Sequence, residues 1–204
     1  MTAAPPPSVV LASRSAAPAS LLRSAGVAFV QAEALVDEAG LREALRAEDV
    51  AAEDAAVALA ELKAGHVALR SPPNAIVIGA DQLLEIEGEW LEKPADAATA
   101  RRQLERLRGR GHRLVSGVVA FRGGGRIWHH VDAARLWLRP FSDAFLDGYL
   151  AAAGPAILGS VGAYQLEGLG AQLMARVEGD HFTVLGLPLL PVLQFLRDQG
   201  ALPA

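Results

Sequence analysis

Residues Ile76–Lys93 read Ile-Val-Ile-Gly-Ala-Asp-Gln-Leu-Leu-Glu-Ile-Glu-Gly-Glu-Trp-Leu-Glu-Lys, and this stretch decides the fold. It begins with β-branched residues that show no polar alternation, a pattern typical of a strand buried on both faces of a sheet. Glu87-Gly88 separates two apolar runs and predicts a hairpin turn. The first apolar run passes through Gly79-Ala80 into Asp81, which is thus expected where the strand leaves the core.

Asp81 has two interpretations. An aspartate at such a place is commonly a turn or cap residue. Its position at the mouth of a central strand, with Lys93 returning on the next hairpin, favours a functional carboxylate instead.

The bulk composition is that of a globular protein. The chain has 204 residues, of which 51% are hydrophobic and 21% charged, enough for one good core or two small ones. No window reaches the roughly 18 apolar residues that a membrane span requires. Residues 1–7 lack Lys and Arg, which predicts no secretory signal, and Thr2–Pro7 is expected to be a disordered or extended tail. We therefore expect a single domain over residues 1–204 and no membrane partner.

Cysteine content and charge exclude several functions. The chain contains no cysteine, which rules out disulfides and thiolate metal sites and fits a reducing cytoplasm. A formal charge of −4 argues against nonspecific binding to nucleic acid, which needs a basic face. The five histidines show no ligand spacing, because His129 and His130 are adjacent in a predicted strand and point to opposite faces.

The first strand leads into a loop rich in hydroxyl groups. Ser8–Ala12 is apolar after its first residue, and Ser13-Arg14-Ser15 follows it, before a helix predicted over Ala19–Ala25. Backbone N–H groups and a helix dipole at one spot form an anion site. A serine that only caps the helix is the simpler alternative.

The remaining pattern predicts alternating helices and strands. Lys63 falls off the apolar stripe of an alanine-rich helix, and such a lysine is most often a surface residue. Arg122–Arg126 encloses three glycines, but strands on both sides predict a hairpin rather than a phosphate loop. Glycine-rich residues 159–170 predict a functional or ligand-facing turn. The other predicted strands are Val27–Gln31, Leu114–Phe121, Ile127–Leu138 and Ala171–Val177. The other predicted helices are Leu41–Leu69 with a break near Asp49, Ala97–Arg108 capped by Asp96, a helix through Ala153 capped by Ser142, and Leu187–Gln199.

Short motifs in fixed order give the chain a family resemblance. They are Leu11-Ala12-Ser13-x-Ser15, Asp37-Glu38, Leu59-Ala60-x-x-Lys63-Ala64, Gly79-Ala80-Asp81, Glu92-Lys93-Pro94, Ser116-Gly117, Gly162-Ala163-Tyr164-x-x-Glu167-Gly168-x-Gly170, Glu178-Gly179-Asp180 and Gly186-Leu187-Pro188. Together they span nearly the whole chain. With these motifs the chain resembles the Maf family of nucleoside triphosphate pyrophosphatases.

The resemblance implies a reaction and a fold. The reaction is hydrolysis between the α and β phosphates of a nucleoside triphosphate, giving a monophosphate and pyrophosphate. The implied fold is α/β, an elongated, twisted mixed β-sheet flanked by helices, two-lobed with a central cleft. The resemblance also implies a possible homodimer.

The resemblance further implies roles for individual residues. Asp81 matches the family's general base, Lys63 and Lys93 match lysines that contact phosphates, and Ser13 lies beside them. The implied cofactor is Mg²⁺ or Mn²⁺. Lysines neutralise phosphate charge, and a carboxylate holds a hard cation and orients or deprotonates the attacking water. Asp81 and Glu38 are the expected metal ligands.

Two positions bear on the nucleobase. Members that act on dTTP and UTP typically have Thr after the aspartate and Gln in the glycine loop, whereas this chain has Gln82 and Glu167. That pair resembles the 7-methyl-GTP pyrophosphatase branch. A carboxylate accepts hydrogen bonds from N1–H and the amine of guanine and attracts a cationic methylated purine. A guanine-type nucleotide is therefore the expected substrate.

The first loop departs from the family pattern. The family usually has two arginines that clamp the phosphates after Ser-x-Ser-Pro, but this chain continues with Ala16-Ala17-Pro18-Ala19. Each lost charge-assisted contact is worth about 1.5–3 kcal/mol. Arg14 and Arg23 are the candidates to substitute. The departure motivates an alternative function, a weakened relative that binds nucleotide or a protein partner without turnover, for example in control of cell division.

Overall fold

A computed structural model describes residues 6–203, so residues 1–5 of the expected tail lie outside the described part. The strands in that part are β1 Val9–Ala12, β2 Phe29–Gln31, β3 Ile76–Ile86, β4 Glu89–Leu91, β5 Gly111–Arg122, β6 Gly125–Leu138 and β7 Met174–Glu178. The α-helices are α1 Ala16–Ser24, α2 Glu38–Ala47, α3 Ala52–Ala68, α4 Ala97–Leu107, α5 Asp143–Ala153, α6 His181–Val184 and α7 Leu189–Asp198. No α-helix within residues 6–203 has the length and apolarity needed to cross a membrane.

The strands form one mixed sheet flanked by helices, which confirms the predicted fold class. Its order is β2-β1-β3-β5-β6-β7, with β4 paired to β3. β1 pairs in parallel with both β2 and β3, with Val9 opposite Phe29 and Ile76. β3–β4 and β6–β7 are antiparallel.

Both predicted hairpins are present. Glu87 and Gly88 connect β3 to β4 and have φ values of 53° and 80°, the positive pair that a two-residue hairpin turn requires. Gly123 and Gly124 connect β5 to β6 with φ values of 58° and 83°. The glycine-rich stretch is therefore a turn and not a phosphate loop.

Several predicted boundaries move. The first helix begins at Ala16 rather than Ala19, because Pro18 lies in the first turn, where its missing N–H has no helical partner to lose. The predicted Leu41–Leu69 helix is two helices, α2 and α3, separated near Asp49 (φ 52°) as expected. The predicted strand Ala171–Val177 begins only at Met174, since Leu169–Leu173 forms a 3-10 turn.

The chain falls into two compact units. The first comprises the chain through Asp81, Ser116–Asp132 and the residues from Gly186 on; the second comprises Gln82–Val115 and Ala133–Leu185. In the first unit, Ala60 and Ala64 of α3 pack with Val10, Val77 and Val119 of the sheet. These small residues bring α3 close to the strands.

The core of the second unit is formed by β3, β6, α4, α5 and the glycine-rich segment. Leu84, Leu104, Leu136 and Leu146 are fully buried in it. Asp96 caps α4 by accepting a hydrogen bond from the Thr99 N–H at 2.7 Å, as predicted. The glycine-rich segment contributes buried residues of its own and folds into short 3-10 turns at Gly154–Gly159, Val161–Ala163 and Leu169–Leu173.

Candidate active site

Asp81 lies in the middle of β3, within the first unit, and is only 9% exposed. The prediction that the strand leaves the core at Asp81 is wrong, because β3 continues through it to the buried Leu83, Leu84 and Ile86. Asp81 follows Gly79 and Ala80, whose small side chains leave room for a helix against the strand. A Cβ on Gly79 would collide with the carbonyl oxygen of Ala60 and lie 2.9 Å from the Ala64 Cβ. Helix α3 therefore packs directly on the backbone of β3.

Lys63 reaches Asp81 because of this close packing. Its ammonium lies 2.5 Å from Asp81 Oδ1 and 3.5 Å from the carbonyl oxygen of Ala80, and the residue is 8% exposed. The expectation of a surface lysine from the helical pattern is wrong. Lys63 and Asp81 instead form a buried ion pair.

Helix α2 contributes a second carboxylate, Glu38, and a second cationic side chain, Arg42. Asp37 caps it by accepting a hydrogen bond from the Gly40 N–H at 2.9 Å. Glu38 Oε2 lies 2.8 Å from Lys63 Nζ, and an Arg42 nitrogen lies 3.6 Å from Asp81 Oδ2. Glu38 and Arg42 are four residues apart and so share one helix face. Four charged side chains from two helices and a strand thus converge within one unit.

Opposing effects set the protonation of Lys63. Burial lowers the pKa of its ammonium, but the charges and hydrogen bonds of Asp81 and Glu38 outweigh that effect. The net result is a pKa raised above the ordinary 10.5, so Lys63 is charged at neutral pH.

The second carboxylate oxygen of Asp81 is unsatisfied. Oδ2 is buried and accepts no hydrogen bond from any described residue, and at 3.6 Å the Arg42 contact is longer than a hydrogen bond. A buried acceptor without a partner costs free energy unless something else fills the role. Oδ2 is therefore positioned to accept a proton, a water hydrogen or a cation.

The loop after β1 is held by its own hydrogen bonds. Ser13 is buried, its Oγ accepts from the Ser15 N–H at 3.1 Å, and its carbonyl accepts from Gln31 Nε2 at 2.7 Å. Arg14 is exposed and pairs with Glu33 at 2.9 Å. Arg23 lies 3.4 Å from Gln31 Oε1 and 5.4 Å from the centroid of the Phe29 ring. Both arginines that were candidates to replace the missing pair are engaged with β2 or the residues just after it.

Gln82, Lys93 and Glu167 belong to the second unit. The Gln82 amide donates to the carbonyl oxygens of Thr183 and Val184 at 2.9 and 3.2 Å, so it anchors helix α6. Lys93 is exposed between β4 and α4, and Gln103 Nε2 holds the neighbouring Glu92 carbonyl at 2.8 Å. Glu167 is exposed in the glycine-rich segment.

Two buried aromatic groups fix that segment. His112 Nε2 lies 2.6 Å from the hydroxyl of Tyr164, and the Tyr149 hydroxyl donates to the Ala163 carbonyl oxygen at 3.1 Å. Burial lowers the pKa of His112 to about 4 and raises that of Tyr149 to about 12. The histidine is therefore neutral at physiological pH. These contacts attach the residues just before Glu167 to the core.

Sequence reasoning missed two of these features. Arg42 gave a signal only through its i, i+4 spacing from Glu38, which marks a shared face but does not say what that face contacts. His112 and Tyr164 are 52 residues apart, and no local pattern joins them.

The residues also bear on a metal. Among residues 6–203 there is no group of three His, Cys, Asp or Glu side chains arranged to hold an ion. Mg²⁺ in phosphate-handling proteins typically takes one or two carboxylates and completes its shell with water and substrate phosphates. Asp81, with its unsatisfied Oδ2, and Glu38 fit that smaller requirement.

The mixed sheet thus carries a buried aspartate, the last residue of a Gly-Ala-Asp segment, that is paired with a lysine. Residues 8–199 match the family model described as Maf-like protein, and the chain belongs to this family. The predicted resemblance is thereby confirmed.

Curated relatives cover almost the whole chain. It is 54% identical to the "Nucleoside triphosphate pyrophosphatase" of Paramagnetospirillum magneticum over 95% of this chain and 99% of the relative. It is 50% identical to a protein of the same name from Rhodospirillum rubrum, over 99% of each chain. It is also 46% identical to the "7-methyl-GTP pyrophosphatase" of Rhizobium meliloti, over 97% of this chain and 99% of that one.

Proposed function

We propose that this protein is a nucleoside triphosphate pyrophosphatase that hydrolyses the α–β phosphoanhydride to a nucleoside monophosphate and pyrophosphate. The observation that carries the proposal is Asp81, a buried carboxylate with one oxygen held by Lys63 and the other unsatisfied. Membership of the Maf-like family and the names of relatives at about 50% identity support it.

Asp81 is the proposed general base. Oδ1 is fixed by the Lys63 ammonium at 2.5 Å, which leaves Oδ2 to accept a proton from the attacking water. The water oxygen forms a bond to phosphorus, the phosphoanhydride bond breaks, and pyrophosphate leaves with the bridging oxygen. General base catalysis by a positioned carboxylate typically contributes about 10²–10⁴-fold.

A divalent cation, Mg²⁺ or Mn²⁺, is the proposed cofactor, with Asp81 and Glu38 as its protein ligands. When bound, it neutralises phosphate charge. Both carboxylates contact the ammonium of Lys63, which therefore fixes their orientation.

Ser13, Arg14, Lys63 and Lys93 are the proposed groups around the phosphates, and Glu167 is proposed to face the base. Lys63 acts on the phosphates through its charge while its N–H donors hold Asp81 and Glu38. Gln82 is also proposed to bind the substrate, and its amide N–H groups anchor helix α6 through the backbone of residues 183–184. Because Glu167 is a carboxylate acceptor, a guanine or 7-methylguanine nucleotide is the proposed substrate. We place the activity in the cytoplasm.

A nucleotide panel tests the proposal. Pyrophosphate release is measured with 7-methyl-GTP, GTP, UTP and dTTP, in Mg²⁺, in Mn²⁺ and after chelation. We expect turnover with a guanine-type nucleotide, its loss in chelator and its loss in Asp81→Asn. Nucleotide-dependent thermal stabilisation without any release would contradict the enzyme and support a binding protein.

A further inference from the structure

The two cations beside Asp81 use their donors differently. Lys63 has three N–H donors, and its ammonium lies 2.5 Å from Asp81 Oδ1, 2.8 Å from Glu38 Oε2 and 3.5 Å from the carbonyl oxygen of Ala80. Its side chain is 10% exposed. The donors of Lys63 are thus directed at protein oxygens.

Arg42 retains its hydrogen-bonding capacity. Asp81 is the charged group that it contacts among the described residues, at 3.6 Å, which is an ion-pair distance without a hydrogen bond. A guanidinium has five N–H donors in a planar fork that matches phosphate oxygens. Its side chain is 17% exposed, more than that of Lys63.

The arginine pair that clamps the phosphates in the family is missing from this chain. The start of α1 has Ala17 and Pro18 at the two positions where the family's phosphate-clamping arginines would lie. Arg14 and Arg23 are engaged at and after β2. Lys63 and Arg42 both face the carboxylate of Asp81, and Lys63 also contacts Glu38. An incoming phosphate therefore competes with Asp81 for a cation, and Arg42 is the one that is held less tightly.

We propose that Arg42 binds a phosphate group of the nucleotide, exchanging its contact with Asp81 Oδ2 for hydrogen bonds to phosphate oxygens. This inference rests on the proposed function of the site. The exchange leaves Oδ2 to the attacking water while Lys63 keeps Oδ1 in place. An arginine on α2 thereby supplies the charge that the first loop lacks.

The test compares Arg42→Ala and Arg42→Lys with Arg46→Ala, which removes the same charge from the same helix. For Arg42→Ala we expect kcat/KM to fall about 10- to 100-fold, the range for a lost charge-assisted hydrogen bond. Arg42→Lys should recover part of it, and Arg46→Ala should stay within about twofold of wild type. Added guanidinium chloride at millimolar concentration should raise the rate of Arg42→Ala and leave that of Asp81→Asn unchanged.

A second readout uses inorganic pyrophosphate as the probe. Its stabilising shift in Tm should be present in wild type and Arg46→Ala and reduced in Arg42→Ala. If Arg42→Ala does not fold, both measurements are made on Arg42→Lys. Its kcat/KM should be at least threefold below that of wild type, because one ammonium cannot replace the planar set of guanidinium donors.

The outcomes separate this inference from the proposed function. If wild type turns over and kcat/KM is unchanged in Arg42→Ala, the role of Arg42 is overturned and the proposed pyrophosphatase activity is retained. Absence of turnover by wild type overturns the enzyme. In that case the Tm shift with pyrophosphate decides the role of Arg42. A shift that persists in Arg42→Ala, or that is missing in wild type, overturns this role. A shift that is lost in Arg42→Ala but kept in wild type and Arg46→Ala supports it.

Discussion

The ammonium of Lys63 lies 2.5 Å from Oδ1 of Asp81, and neither side chain is more than a tenth exposed. Burying two charges is costly, and the pair repays that cost only when its hydrogen bonds are well formed. Glu38 adds a second carboxylate to the ammonium at 2.8 Å. These contacts fix the position of Asp81, and the proposed chemistry depends on that position.

Replacing Asp81 by Asn should abolish most turnover while preserving the fold. The amide keeps the shape of the carboxylate but cannot accept a proton from water, so we expect kcat to fall by about 10²–10⁴-fold. Glu38 still pairs with Lys63 and limits the loss of stability. Pyrophosphate release and circular dichroism measure the two effects. An active Asp81→Asn protein would remove Asp81 from the role of base.

The energetic coupling of Lys63 and Asp81 is measurable by a double-mutant cycle. Lys63→Met alone leaves a buried carboxylate with only the 3.6 Å contact to Arg42, and breaking a buried pair in this way costs about 3–5 kcal/mol. In the double variant with Asp81→Asn the unpaired charge disappears. The free energy of unfolding in urea should therefore show a coupling of about 1–3 kcal/mol. Additive losses would mean that the two residues act independently.

Gly79→Ala should disturb the site without touching a charged group. The new Cβ collides with the Ala60 carbonyl oxygen, and relieving it shifts α3 together with Lys63. Overpacking of this kind costs about 1–3 kcal/mol of folding free energy, and we expect kcat to fall in parallel. Gly148→Ala is the matched control, since nothing lies within 4 Å of its Cβ and Ala is the better helix former. Equal behaviour of the two variants would contradict the close-packing account.

How much of this was predictable varies from residue to residue. The central strand, both hairpins and the caps at Asp96 and Ser142 follow from local chemistry, and the structure confirms them. Asp81 was identified by its predicted place at the mouth of that strand, with Lys93 on the next hairpin, although β3 in fact continues through it to Ile86.

Other positions depend on packing that no local pattern encodes. Lys63 lies on a helix so rich in alanine that several faces are small and apolar, so its apolar stripe did not reveal which face would be buried. Which cation approaches Asp81 from α2 depends on how that helix packs on α3. The roles of Ser13, Lys93 and Glu167, the single-domain organisation and the central cleft stay predictions.

Glu167→Gln should shift the preference for the base. A charged acceptor binds the two donors of guanine more strongly than a neutral amide, whereas Gln offers uracil and thymine both a donor and an acceptor. We expect the ratio of kcat/KM for 7-methyl-GTP over UTP to fall about tenfold, equivalent to about 1.4 kcal/mol. Glu105→Gln, which removes the same charge from exposed α4, should leave that ratio unchanged. An unaltered ratio in Glu167→Gln would mean that this carboxylate does not face the base.

The buried histidine predicts how stability depends on pH. His112 is 4% exposed, and burial lowers its pKa from 6.5 to about 4. Between these values the unfolded chain binds a proton that the folded protein excludes, so stability is complete above pH 6.5 and declines as the pH falls. By pH 4 the loss amounts to about 3 kcal/mol.

Urea unfolding of wild type, His112→Gln and His129→Gln across pH 4–8 tests this assignment. The His112→Gln profile should be flatter than that of wild type by about 3 kcal/mol at its acid end, although its stability at neutral pH is lower if Gln does not restore the contact with Tyr164. His129 is exposed on β6, so His129→Gln makes the same substitution away from the buried contact. A His112→Gln profile parallel to that of wild type would contradict this assignment. It would mean that His112 binds its proton as readily in the folded protein as in the unfolded chain, so that the glycine-rich segment is not held by a neutral imidazole.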